Sequence, residues 1–147
     1  MSPDAPYTGR LERGEHRFAV RVYYEDTDAG GVVYYANYLR FLERARTDFL
    51  ALLGIDLAAS QAAGEGLYVV AEVNIRYRAS ARLNDALLIT SCLQQINGSS
   101  LVVQQAVSRD GAEVAAATVR VVFVGPDGRP RRQPAQWVSA FRAMTGE

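Results

Sequence analysis

The densest cluster of reactive side chains is the run Glu25-Asp26-Thr27-Asp28-Ala29-Gly30-Gly31, which lies between a predicted strand and a predicted helix. Where a helix begins after a glycine turn, the N–H groups of its first turn lack partners within the helix and can bind an oxyanion. A carboxylate beside such donors can act as a base, a nucleophile or a metal ligand. From spacing alone, a structural role is slightly favoured, in which Asp26 and Asp28 form Asx turns and balance the helix dipole.

The spacing or composition of the chain excludes two more specific functions for this run, a calcium loop and an aspartyl phosphatase. A calcium loop that began at Asp26 would have Gly30 where a third oxygen ligand belongs and Asn37 where the bidentate glutamate belongs. An aspartyl phosphatase would need a lysine to hold the phosphate, and all 16 basic residues of this chain are arginines. A metal site built from the two carboxylates stays open, although D-x-D is a short and common pattern.

The rare residue types exclude further chemistry. Without lysine the chain can form no Schiff base, no pyridoxal phosphate linkage and no P-loop. His16 and Cys92 are the only histidine and cysteine, so a histidine-dependent triad could use only His16, and zinc ligands are in short supply. We therefore expect no metal and no cofactor. His16 is predicted to be a surface residue at the edge of the first strand, and Cys92 to be a packed core thiol.

Charge and hydropathy favour a cytoplasmic protein. The 16 basic residues balance the 16 acidic residues, so no net charge attracts the chain to nucleic acid or to a membrane surface. The first residues, MSPDAPYTGRLERGEH, lack the apolar stretch of a signal peptide, and no run of about 18 apolar residues could cross a bilayer. A single cysteine suits a reducing compartment. We expect a cytoplasmic location, no nucleic-acid partner and no integral membrane association.

The D-x-D run must be positioned by the strand before it and the helix after it. Residues 1–15 are polar and are predicted to form a flexible tail, with one domain over residues 16–147. Apolar alternation from Phe18 to Tyr24 predicts a strand. The longest helix follows and ends at Gly54. Its apolar stripe consists of Tyr38, Phe41, Leu42, Ala45, Phe49, Leu52 and Leu53.

The rest of the chain predicts an antiparallel sheet. A short helix after Asp56 is followed by strands joined by hairpins at Asn97-Gly98 and Asp110-Gly111, and a last helix begins near Pro134. In the first of these strands, one face is predicted to carry the side chains of Leu67, Val69, Ala71, Val73, Ile75 and Tyr77. The fold class is therefore α+β, with about five strands. One helix cannot cover both faces of the sheet, and the second face is predicted to be apolar enough to require an oligomer. The residues of that face are Val70, Val102, Ala106, Val114, Ala116, Val122 and Val124.

Longer motifs point to a known family. The segment VYYEDTDAGGVVYYANYLRFLERAR, the segment RASARLND at 78–85 and the Gly98-Ser99-Ser100 hairpin resemble the hot-dog-fold acyl-CoA thioesterases. The match is to the 4-hydroxybenzoyl-CoA thioesterase family and within it to the Tol–Pal-associated (YbgC-type) branch, over roughly residues 17–125. The resemblance implies a hot-dog fold, in which an antiparallel sheet wraps around one long helix, and an enzyme that hydrolyses an acyl-CoA thioester.

The resemblance also implies roles for individual residues. The catalytic carboxylate corresponds to Asp28, as base or nucleophile, and the N–H group that polarises the thioester carbonyl corresponds to the backbone amide of Tyr35. Asn37 and Tyr38 match the asparagine and tyrosine of the family motif, and Tyr34 is a further candidate for the acyl pocket. Many members of the branch carry histidine where this chain has Tyr35, so the branch does not specify the substrate.

The remaining expectations concern partners and alternatives. Coenzyme A phosphates would be bound by one of two arginine clusters, either Arg76, Arg78 and Arg82 or Arg129, Arg131 and Arg132. We expect a homodimer or homotetramer with active sites between subunits. A non-catalytic acyl-CoA-binding or scaffold protein is an alternative. A hot-dog dehydratase or hydratase ranks lower, because that chemistry uses a histidine–carboxylate pair and the only histidine precedes the first predicted strand.

Overall fold

A computed structural model describes residues 2–146 as six strands and three helices. The strands are β1 (Arg10–Glu12), β2 (Glu15–Arg21), β3 (Leu67–Tyr77), β4 (Ala86–Ile96), β5 (Ser100–Arg109) and β6 (Ala112–Val124). The helices are α1 (Asn37–Leu52), α2 (Leu57–Ala62) and α3 (Ala135–Thr145). The α+β prediction is confirmed, with six strands in place of about five.

All strands belong to one antiparallel sheet with the order β1-β2-β4-β5-β6-β3. The predicted hairpin at Asp110-Gly111 joins β5 to β6, and both residues have positive φ, 52° and 81°. That pair of angles belongs to a type I′ turn, whose twist matches that of the strands it joins. Although β3 precedes β4 in the chain, it pairs with β6, so this long strand forms one edge of the sheet.

Helix α1 packs against one face of the sheet, here called the inner face. Its apolar stripe buries Tyr38, Phe41, Leu42, Ala45 and Phe49 in a core that also receives Phe141 from α3. The sheet contributes Leu87, Ile89, Leu101, Val103, Val107 and Val119 to the same core. Gly54 ends the helix region with φ of 81°, as its position in the sequence predicts.

The amino-terminal segment differs from the predicted flexible tail. Residues 10–12 form β1, which pairs with β2, so the prediction is wrong for this part of the segment. The backbone N–H of Gly9 donates to Asp48 Oδ2 at 3.0 Å, which ties the segment to α1. A Cβ at position 9 would lie 2.3 Å from the carbonyl oxygen of Arg17, so only glycine fits this close approach.

His16 is a core residue, and the prediction of a surface histidine is wrong. Its side chain is 0% exposed, it stacks on the ring of Phe49, and its Nε2 lies 2.7 Å from Asp48 Oδ2. The fold thus contains a histidine–carboxylate pair, but its histidine is fully buried and its carboxylate side chain is only 13% exposed. A substrate cannot reach the imidazole, which argues against the dehydratase alternative.

Strand β2 ends earlier than the apolar alternation predicts. The chain leaves the sheet at Arg21 and forms a short 3₁₀ turn, Tyr24–Asp26. Tyr24, which the alternation placed on an apolar stripe, is 82% exposed. The turn forms because the carboxylate of Asp26 accepts the backbone N–H of Tyr23, a local bond that period-two patterning does not reveal.

A β-bulge changes the predicted facing of β3. The register between β3 and β6 shifts between Val70 and Glu72, so one residue is added and the side chains before and after the bulge alternate out of phase. Val73 and Ile75 pack on the core as predicted, but Tyr68 joins them in place of Val69, which is exposed.

The outer face of the sheet is less apolar than predicted. Val102, Ala106 and Ala116 are half-buried there beside Gln104 and Thr118, whose side chains form a hydrogen bond of 3.1 Å. Three other residues assigned to this face are buried, namely Val114, Val122 and Val124. The outer face that residues 2–146 form therefore lacks the continuous apolar surface on which the predicted oligomer rested.

Within residues 2–146, no helix is long and apolar enough to span a membrane.

Candidate active site

The loop between β2 and α1 is folded around the carboxylate of Asp26. This side chain is 4% exposed, and its two oxygens accept the backbone N–H of Tyr23 at 2.7 Å and the Nδ2 group of Asn37 at 2.8 Å. The carbonyl oxygen of Asp26 accepts the N–H of Tyr34 at 2.9 Å. Asp26 thus joins the start of the loop to the start of α1, and its role is to order the loop.

Asp28 has a different environment. Its backbone N–H donates to the carbonyl of Val32 at 2.9 Å, and its own carbonyl accepts the N–H of Gly31, where φ is 81°. One carboxylate oxygen accepts the N–H of Gly30 at 2.8 Å. The residue is exposed, and within residues 2–146 its second carboxylate oxygen accepts no hydrogen bond. The carboxylate is therefore oriented by the turn yet free to meet a substrate or a water molecule.

The start of α1 leaves backbone donors unused. Ala36 occupies the N-cap position, no side chain of the described residues caps the helix, and the first turn contains no acidic residue. Across residues 2–146, no group accepts the backbone N–H of Tyr35 or that of Ala36. The helix dipole adds partial positive charge at the same place. These donors suit an oxygen that gains negative charge during a reaction.

The hydrogen bonds of the loop do not favour the metal site that the D-x-D spacing left possible. Both carboxylate oxygens of Asp26 already face N–H donors, which a cation would have to displace. In the part of the chain that the structure describes, no three His, Cys, Asp or Glu residues are grouped in a way that could hold a metal ion.

Two residues assigned to substrate binding have other contacts. Asn37 is 7% exposed and its side-chain amide is bonded to Asp26, so it positions the loop. Tyr38 is 3% exposed and packs edge-on against Phe41 in the core. Both side chains are thus engaged by the fold, and their assignment to substrate binding stays a prediction. Tyr34 and Tyr35, in contrast, are exposed beside the free N–H groups.

Tyr77, at the end of edge strand β3, is a site residue that the sequence analysis did not identify. Its hydroxyl donates to the carbonyl oxygen of Tyr35 at 2.9 Å, and its ring lies 5.5 Å from that of Tyr38. Desolvation, with a smaller contribution from Tyr35, raises the pKa of Tyr77, so its hydroxyl stays protonated as a donor. The only sequence signal was its place at the end of the strand that precedes RASARLND.

Each of the two arginine clusters has one side chain that already makes a contact within the fold. In the later cluster, Arg131 Nη1 donates to the carbonyl oxygens of Gly64 and Glu65, which follow α2, so this side chain supports the fold. In the earlier cluster all three arginines are exposed, and within residues 2–146 Arg78 is the one that forms an ion pair, with Glu113.

The turn that carries Arg82 is held by Asp85. The Asp85 carboxylate accepts the backbone N–H of Arg82 at 2.8 Å and a guanidinium N–H of Arg109 at 2.9 Å. The bond from the Arg82 backbone, with help from Arg109, lowers the pKa of Asp85. Val32 forms an isolated bridge with Arg82, so this turn and the Asp28 loop are neighbours.

A cavity of about 410 Å³ lies beside α1, between the helix and the inner face of the sheet. Its walls are mainly apolar, and Val69 and Val70 of edge strand β3 form part of them. The charged residues in its lining are Glu43 and Arg46 of α1. Tyr35 and Tyr77 lie near the start of α1 and the end of β3, whereas this cavity lies beside later residues of α1 and the start of β3.

Known proteins resemble this chain along most of its length. The model of a family described as the thioesterase-like superfamily matches residues 22–143. The acyl-CoA thioester hydrolase YbgC of Escherichia coli O6:H1 is 42% identical over 128 residues, which cover 86% of this chain and 95% of that protein. The acyl-CoA thioesterase YbgC of Haemophilus influenzae is 40% identical over 107 residues, covering 73% and 79% of the two chains.

A solved structure agrees with these matches. The crystal structure of a probable thioesterase from Bartonella henselae superposes with a TM-score of 0.77 at 32% identity, and the match covers 82% of this chain and 99% of that one.

Proposed function

The chain belongs to the thioesterase-like superfamily, and on that premise we propose how this acyl-CoA thioester hydrolase works: Asp28 activates water or attacks the thioester, and the free N–H groups at the start of α1 bind the oxyanion. The fold is the predicted hot-dog fold, and acyl-CoA is the predicted substrate class. The observation that carries the proposal is the pairing of an exposed, oriented carboxylate with an uncapped helix start on one loop.

The reaction needs no histidine. In the base mechanism, Asp28 takes a proton from water, the water oxygen bonds to the acyl carbon, and the carbonyl oxygen becomes negative. The N–H groups of Tyr35 and Ala36 stabilise that charge, and one such donor typically contributes about 3 kcal/mol. The C–S bond then breaks, coenzyme A leaves as a thiolate that takes up a proton, and the free acid remains. In the nucleophilic mechanism, a carboxylate oxygen of Asp28 bonds to the acyl carbon, and the C–S bond breaks as coenzyme A leaves as a thiolate. Water then hydrolyses the resulting mixed anhydride, which releases the free acid and restores the Asp28 carboxylate.

The earlier arginine cluster is our proposed site for the phosphates of coenzyme A. Arg76 and Arg82 are exposed, and across residues 2–146 neither forms an ion pair. Val32 bridges the Asp28 loop to Arg82, so the cluster stands next to the site of reaction. Arg131 of the later cluster already supports the carbonyls after α2.

A thiol-release assay across a panel of aromatic and aliphatic acyl-CoA thioesters tests the function. We expect release of coenzyme A thiol at a rate proportional to enzyme for at least one class of thioester. The matching oxygen esters should be poor substrates, because they are less electrophilic. Binding of acyl-CoA by calorimetry without any release of thiol would support the non-catalytic alternative.

We further propose a homodimer in which β3 of each copy pairs with the other. β3 is an 11-residue edge strand, and its residues Val69, Val70 and Tyr77 are 40%, 49% and 43% exposed. A long and partly apolar sheet edge is a template for pairing with a second strand. Because β3 also borders the cavity and carries Tyr77, pairing there would place each active site at the subunit boundary.

Sedimentation at micromolar concentration tests the assembly. We expect a dimer or a pair of dimers as the smallest abundant species. A well-folded monomer with full thioesterase activity would contradict both the β3 interface and the shared site.

A further inference from the structure

Among residues 2–146, the lining of the cavity beside α1 includes one cationic side chain, Arg46, in mainly apolar surroundings. Arg46 is half-buried in the wall, among aliphatic and aromatic side chains. Moving a guanidinium out of water costs free energy unless its N–H groups find acceptors. That desolvation lowers the pKa of Arg46.

The hydrogen bonds of Arg46 are few and directional. Its Nη1 donates to Gln105 Oε1 at 2.9 Å, and this is its one side-chain hydrogen bond to residues 2–146. Gln105 is 0% exposed and is itself held by bonds from its Nε2 to the carbonyl of Leu42 and to Ser91 Oγ. The buried glutamine therefore fixes the direction of the guanidinium and leaves its other N–H groups unused.

No carboxylate of the described residues neutralises this cation at contact distance. The five ion pairs within 4.0 Å that these residues form do not include Arg46. Glu43, one turn earlier on α1, also lines the cavity, but it is exposed and lies beyond that distance. A ligand oxygen that entered the cavity would meet a planar fork of donors, which suits a carboxylate best.

We propose that this cavity receives the far end of the acyl chain and that Arg46 selects chains that carry an oxygen acceptor there, a terminal carboxylate above all. The inference rests on the proposed function and specifies its substrate class. From Tyr35 to Arg46 the helical rise amounts to about 16 Å, and helical side chains lean back toward the amino terminus. Acyl chains of medium length therefore have the length needed to reach from the oxyanion donors to the guanidinium.

A purely structural role for Arg46 would be to tie α1 to β5 through Gln105. Replacement of Arg46 would then lower stability or activity toward every substrate alike. A selecting role instead changes the ratio between substrates that differ only at the far end of the chain, so a ratio is the quantity to measure.

The test compares chains of matched length, namely octanoyl-, ω-hydroxyoctanoyl- and octanedioyl-CoA, with decanoyl- and decanedioyl-CoA as a second series. We expect kcat/KM to rise from the methyl to the hydroxyl to the carboxylate end, with the carboxylate at least about tenfold above the methyl. The Arg46→Met variant should lose at least about tenfold more kcat/KM on octanedioyl-CoA than on octanoyl-CoA. Arg46→Lys keeps the charge without the fork and should lose part of the preference.

The matched control is Arg44→Met, because Arg44 is an exposed arginine of the same helix outside the cavity lining. It should keep the wild-type ratio between substrates. Should Arg46→Met fail to fold, as judged by its thermal transition, the ratio measured with Arg46→Lys decides. Equal kcat/KM for methyl and carboxylate ends in the wild type, or an unchanged ratio in the Arg46 variants, would overturn the inference while leaving the thioesterase function intact. Absence of thiol release from every thioester would instead refute the proposed function, and this inference with it.

Discussion

Replacement of Asp28 by asparagine is expected to lower kcat by at least about 10²-fold, which is the usual contribution of a positioned proton acceptor. Asparagine has the size of aspartate, and its carbonyl oxygen can still accept the N–H of Gly30, so the turn should persist. Because Asp28 is exposed, stability should change by less than about 0.5 kcal/mol. Steady-state kinetics on the best acyl-CoA, together with a thermal unfolding curve, measures both effects.

Asp26→Asn is the matched control from the same motif. Both oxygens of Asp26 face N–H donors, so an amide NH₂ must point at one of them. We expect a loss of about 1–3 kcal/mol in the free energy of unfolding, since a buried donor is left without an acceptor. If Asp28→Asn kept nearly full turnover while Asp26→Asn lost it at unchanged stability, the roles of the two aspartates would be reversed.

The second large effect is expected from Ala36→Pro. Ala36 has φ of −71°, an angle that proline adopts, and proline is tolerated in the first turn of a helix, so the variant should fold. The change removes the N–H of residue 36 and disfavours helical geometry at Tyr35. Loss of an oxyanion donor should lower kcat by about 10²-fold or more, with stability monitored by circular dichroism.

Two side-chain controls separate the amide from the ring. Ala36→Gly keeps the N–H group and should retain most of the turnover. Tyr35→Phe keeps the amide of residue 35 and should cost less than tenfold in kcat, that is, less than about 1.4 kcal/mol. Full turnover in Ala36→Pro combined with an inactive Tyr35→Phe would identify the phenol ring as the catalytic group and would contradict the helix-start oxyanion site.

Much of the fold follows from local sequence signals. Gly54 ends the long helix with positive φ, and the Asp56 side chain caps the short helix by accepting the N–H of Ala59. The Asp110-Gly111 pair forms the expected hairpin turn. Each of these features depends on residues within a few positions of one another, so the sequence pattern alone predicts them.

What the sequence did not predict depends on contacts between distant residues. His16 is paired with Asp48, 32 residues later, and no local pattern identifies such a partner. The same holds for Arg46 and Gln105, which are 59 residues apart. The bulge after Val70 follows from the register of β3 on β6, so periodicity cannot locate it.

In the candidate site too, the local motif was predicted from the sequence, and the contacts between distant residues were not. The resemblance of the D-x-D run indicated Asp28 and the helix start, but it did not reveal that the side-chain amide of Asn37 donates to Asp26. An amide that belongs to a ligand site and one that belongs to a loop look the same in a sequence. Tyr77 was missed because its partner, the carbonyl of Tyr35, is a backbone atom 42 residues away.

The three-residue strand β1 has a consequence for how many copies can join. The sheet has two ends, and at one of them β2 is covered by β1 and by Tyr7, whose hydroxyl accepts the N–H of Ala19. The outermost strand there is short and includes Arg10 and Glu12, both exposed and charged. In the sheet that residues 2–146 form, only the β3 end offers a long row of unpaired backbone groups. When two copies join through β3, each end of the joined sheet is a β1 end, so extension of the sheet stops at a closed twofold pair and no fibre grows by strand pairing.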